Sequence, residues 1–148
     1  GSADSDPGIG ARNERDRSAR RRGRASGRAV IQRITIPNWR PTRDNDLVGV
    51  HWTKRKKLKD SDAAFVATYA RQAEITPANG KRRVSLEIAL TGHQKETDPW
   101  AYLKSLMDAL VACNLLVDDD DAHVEWGGTI YTRGSEPSTT IVLEDRDA

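Results

Sequence analysis

Residues 97–124 read TDPWAYLKSLMDALVACNLLVDDDDAHV, and the fold turns on how this stretch is parsed. Thr97-Asp98-Pro99 has the form of a helix start: a capping side chain, then proline at the first helical position. Trp100, Leu103, Leu106, Met107, Leu110 and Val111 recur at intervals of three and four, so the helix buries one face. Asn114 tolerates the left-handed conformation that ends a helix. Leu115-Leu116-Val117 leads into four consecutive aspartates, Asp118 to Asp121, and His123-Val124-Glu125-Trp126 opens a strand.

Working outward, Val84 to Leu90 alternates apolar with polar or small residues, as a half-buried strand does. Lys54 to about Glu74 carries an approximate helical stripe of Leu58, Ala63, Phe65, Val66, Tyr69, Ala70 and Ala73. Asp60, Ser61 and Asp62 offer a second possible start for that helix, with Lys54–Lys59 as a basic lead-in. Residues 30–36 form a strand that stops at Pro37, and 37–53 a long loop containing Asp44-Asn45-Asp46. Downstream, Gly127-Gly128 breaks or bulges the strand, Thr129 to Thr132 resumes it, and Thr139 to Leu143 is the last strand. The order β, loop, α, β, α, β, β predicts an α/β domain, a mixed sheet of about four strands packed by two helices.

Charge is distributed unevenly. Gly1-Ser2 reads as an expression scar. Ala3 to Arg28 holds eight arginines against four acids and one aliphatic residue larger than alanine, Ile9. With the whole chain at +2 and this segment at +4, residues 29–148 carry about −2. Residues 1–28 are therefore expected to be a flexible Arg-rich tail, with 29–148 as the folded domain. The cluster Arg20-Arg21-Arg22-Gly23-Arg24 suits salt-dependent, sequence-blind association with nucleic acid, or serves solubility alone. No apolar run is long enough to span a membrane, no secretory signal is visible, and the one cysteine, Cys113, excludes an internal disulfide. A cytoplasmic protein is expected.

The acids suggest chemistry. Asp98 before the helix and Asp118 to Asp121 after it, with Lys104 between, suit a magnesium site acting on phosphates if the two groups meet. Each has a plainer reading: Asp98 as a helix cap, Lys104 as a solvated lysine, Asp108 as the i,i+4 partner of Lys104, the aspartate run as a solvated loop. The patch Lys54, Arg55, Lys56, Lys57 and Lys59, with Trp52 beside it for stacking, is either a phosphate-binding face or the polar side of a helix.

From Ile34 to Leu143 the chain resembles the RusA-like Holliday junction resolvases of phages and prophages. The residues that carry the likeness are Ile34-Thr35-Ile36-Pro37-Asn38-Trp39-Arg40-Pro41 with Asn45, His51-Trp52 and Arg55-Lys56-Lys57-Leu58-Lys59. Asp98, Lys104, Asp108-Ala109-Leu110-Val111, Leu116-Val117-Asp118-Asp119-Asp120 and His123-Val124 complete it. The resemblance implies a homodimeric, Mg²⁺-dependent endonuclease that makes paired nicks in four-way DNA junctions, in a bacterial or phage-infected cell. It implies Asp98, Asp119 and Lys104 as catalytic, Asp98, Asp118 and Asp119 as metal ligands, and Asn45 with the basic patch as DNA contacts. The family pattern of two aspartates one residue apart, then asparagine and lysine, places its second aspartate on Trp100 and its asparagine on Ala101. Three readings are open: Glu96 supplies the missing ligand, Asp120 and Asp121 compensate, or the protein binds junctions without cutting.

Overall fold

Strand β1 (Ile31–Pro37) opens the computed structural model, which describes residues 30–146; the expected tail over 1–28 lies outside the described residues. A short 3₁₀ turn (Asp44–Leu47) leads to helix α1 (Trp52–Gln72), then β2 (Arg82–Leu90), α2 (Leu103–Ala112), β3 (Val124–Arg133) and β4 (Ser138–Asp145). The four strands form one mixed sheet in the order β1-β4-β2-β3. β4 lies antiparallel to both β1 and β2, while β3 runs parallel to β2 through the crossover that contains α2. The α/β architecture with two helices on a four-stranded sheet is as the sequence pattern predicts.

The core follows from alternation. In β2, Val84, Leu86, Ile88 and Leu90 are buried, and Ile34, Ile36, Ile141 and Leu143 continue that layer across β1 and β4. Against it α2 packs Leu106, Met107 and Leu110, while α1 contributes Val66 and Ala70. Phe65, expected on the buried stripe, is partly exposed and lies beside Trp39, ring centroids 5.9 Å apart.

Helix α1 starts at Trp52, two residues before its expected start, because the His51 ring accepts the Thr53 amide at 3.2 Å. It runs unbroken through Asp60-Ser61-Asp62, so the second possible start is not used. Lys56 pairs with Asp60 at 2.9 Å, and Asp62 turns inward to accept the Thr42 amide at 3.0 Å. Both helices end alike. Glu74 (φ 56°) and Asn114 (φ 62°) take the left-handed conformation, and the amides of Ile75 and Leu115 return to the carbonyls of Ala70 and Leu110.

Helix α2 differs from expectation at its start. Asp98 accepts the Trp100 amide at 3.0 Å and its carbonyl accepts Ala101 at 2.9 Å, which closes a separate turn. The helix proper begins at Leu103, and its first amides are capped from sixty residues away. Lys104 N–H and Ser105 N–H both donate to the Asp44 carboxylate at 3.3 Å. Asp108 also finds a distant partner: Lys59 of α1 at 3.2 Å, and not Lys104.

Candidate nucleic-acid interface

A groove of about 600 Å³ lies between the loop after β1, the first half of α1 and the segment leading into α2. Arg40, Arg43, Asp46, Lys54, Leu58, Thr97 and Tyr102 are among the residues that line it. Its loop wall is held from two sides. Asp62 anchors Thr42, and the Asp44 amide donates to the Ala101 carbonyl at 2.7 Å while its carboxylate caps α2. Arg43 and Asp46 form a two-pronged pair at 3.1 Å that cancels its own charge. Lys54 and Leu58, one turn apart on α1, face the groove together.

The predicted basic patch divides in two. Lys56 and Lys59 are engaged with Asp60 and Asp108. Among the described residues, no acid lies within ion-pair distance of Arg40, Lys54, Arg55 or Lys57. Arg55 reaches back to the Leu47 carbonyl at 3.0 Å, which tethers the loop to α1. Asn45 is exposed within the 3₁₀ turn, and Trp52 projects from the first turn of α1, 69% exposed. Arg40, Arg43 and Asp44 are site residues that the patch reading missed. The basic run on one helix drew attention, whereas these three come together only through the loop's path.

The segment carrying Glu96 and Asp98 forms the far wall. Thr97 hydroxyl lies 2.8 Å from the Tyr131 hydroxyl and 2.7 Å from that of Tyr102, and the Thr97 amide donates to Tyr131 at 3.2 Å. Burial pushes the Tyr131 phenol above its ordinary value, so its hydroxyl stays neutral at physiological pH. Thr129 adds a hydrogen bond to the Pro99 carbonyl at 2.8 Å. Asp98, Glu96 and the Lys104 side chain are exposed beside this wall.

Asp118 to Asp121 stand elsewhere. The Asp120 carbonyl accepts the amides of His123 and Val124, and its carboxylate meets the His123 ring at 2.6 Å, so the run turns the chain into β3. Asp118 accepts the amide of Asp119 at 2.8 Å. Thr129 and Tyr131, which hold the Asp98 segment, lie five and seven residues beyond Val124 along β3. Trp100 of the same segment leans on Trp126, two residues beyond Val124. Among the described residues, no hydrogen bond joins the Asp98 segment to Asp118 or Asp119.

A magnesium ion of the kind the resemblance implies takes carboxylates close enough to share it. Among the described residues no three His, Cys, Asp or Glu side chains gather to hold one. Asp98 and Asp118 each already spend a carboxylate oxygen on a backbone amide. Set against known proteins, the sequence matches no family model and no curated protein.

Proposed function

We propose that this chain binds branched DNA, four-way junctions above all, by seating phosphate backbones on the groove beside α1. The observation that supports this most is that Arg40 and Lys54 line the groove without acidic partners among the described residues, with Arg55 and Lys57 beside Lys54 on α1. Charge of this kind attracts DNA by releasing condensed counterions, and the preference for junctions over duplex comes from the resolvase resemblance. Binding of a synthetic four-way junction and of a linear duplex of the same sequence, followed by fluorescence anisotropy at two salt concentrations, tests the reading. Junction affinity above duplex affinity, both falling with salt, is the expected result. Equal affinities, or none at low salt, would defeat it.

Asp98 and Lys104 exposed beside the groove wall favour a second reading, a homodimeric Mg²⁺-dependent endonuclease that resolves junctions by paired cuts during recombination and repair. A junction has two-fold symmetry, which a two-fold dimer would match. This reading requires Asp118 and Asp119 to share an ion with Asp98. Strand breaks in a junction incubated with Mg²⁺, absent in Asp98→Asn and Asp119→Asn, would establish it. Tight binding with intact strands in all three proteins would leave the binding function alone.

A further inference from the structure

Trp100 stands where the resemblance would place a metal-binding aspartate, and its surroundings give it another use. We infer that Trp100 is a stacking shelf for an unpaired base of a DNA strand lying in the adjacent groove; the inference rests on the binding function proposed above. The indole is 59% exposed, yet it is not loose. Its backbone is fixed by Asp98, which accepts the Trp100 amide at 3.0 Å. The turn that carries it is pinned to β3 by the hydroxyls of Thr97, Tyr102 and Tyr131 and by Thr129. On one side it leans on the partly buried Trp126, ring centroids 6.3 Å apart and planes tilted by 52°. More than half of its surface stays open to solvent.

An indole that served only to cover Trp126 would gain nothing from standing so far into solvent. Thr97 and Tyr102, on either side of this turn, both line the groove. Trp100, three residues from Thr97 and two from Tyr102, would offer an exposed aromatic face to a strand whose phosphates are held by Arg40 and Lys54. Every base has a π-face, so such stacking tolerates sequence. Bases already stacked in a duplex cannot use it, which makes the ligand single-stranded DNA or the opened bases at a branch point.

The test compares binding of a short thymidine oligonucleotide and a short duplex by wild-type protein, Trp100→Ala, Trp100→Phe and Arg40→Glu/Lys54→Glu. Trp100→Ala is expected to weaken oligonucleotide binding roughly tenfold, as loss of one stacked base does. Duplex binding should change less than about twofold and the salt dependence should stay the same, because no phosphate contact is removed. Trp100→Phe keeps a ring and should recover most of the loss. If Trp100→Ala holds the oligonucleotide as wild type does while Arg40→Glu/Lys54→Glu releases it, the shelf is refuted and the groove stands. Equal losses on both ligands, or a Phe variant as weak as Ala, also refute it. No binding of either ligand by wild-type protein overturns the groove and the shelf together.

Discussion

Asp62 is a carboxylate at 5% exposure, set in α1 to receive a single amide from the groove loop. Removing it from water pushes its pKa above the ordinary carboxylate range, and the hydrogen bonds from Thr42 only partly oppose this. The sign follows from linkage: a pKa raised on folding means the folded protein prefers the protonated form. Asp62 therefore contributes most at acid pH, and its contribution declines as pH rises through the raised value. Asp62→Asn keeps an acceptor for Thr42 and removes the titration. The stability of wild type relative to Asp62→Asn should fall between pH 4 and pH 7 in urea melts; a difference that is flat or rises with pH would contradict the burial argument. Asp62→Ala leaves the Thr42 amide without its acceptor and should cost about 1–3 kcal/mol, more at pH 4 than at pH 7. It should also weaken DNA binding, because Thr42 sits between Arg40 and Arg43 in the groove wall.

At the scale of elements, β3 shows what short-range sequence can specify. Val84 pairs with Trp126 and Leu86 with Thr129, so Ser85 faces both Gly127 and Gly128 in a bulge. Gly128 needs its φ of 94°, and a Cβ on Gly127 would fall 2.3 Å from the Ser85 hydroxyl and 3.2 Å from the Val84 carbonyl. Gly127→Ala should destabilise the domain by about 1–3 kcal/mol. Adding Ser85→Ala should restore part of that, since it removes the closer clash and leaves the backbone one; strictly additive losses in denaturant melts would show that the bulge is not the cause. The bulge was legible because two glycines in a strand have few other uses, and the periodicities of α1, α2 and β2 were legible because each buries a face. The start of α2 was not. Thr97-Asp98-Pro99 has the local form of a cap, but the amides at Lys104 and Ser105 are met by Asp44, which no local pattern announces. The pairing of Asp108 with Lys59 escaped for the same reason, because it depends on where two helices cross.

On the proposed function, charge is split across the whole molecule between places that would act differently on DNA. Residues 29–148 carry about −2 in total, so the groove attracts phosphate through local arrangement and not through net charge. The acids Asp118 to Asp121 lie at the far end of α2 from it, where they repel a backbone that approaches from the wrong side. The eight arginines of residues 3–28 would add a sequence-blind attraction. The two sources predict different phenotypes. Deleting residues 1–28 removes phosphate contacts common to all DNA, so junction and duplex affinities should fall by similar factors and the salt slope should become shallower. Arg40→Ala/Lys54→Ala removes contacts fixed in space, so it should lower junction affinity more than duplex affinity. Each lost phosphate contact should reduce the slope of log affinity against log salt by about 0.9 on duplex DNA. Anisotropy titrations over a salt series, run on both ligands with both variants, separate these contributions. If the deletion abolishes the preference for junctions while the groove variant keeps it, recognition of shape resides in the arginine segment and the groove is only an accessory surface.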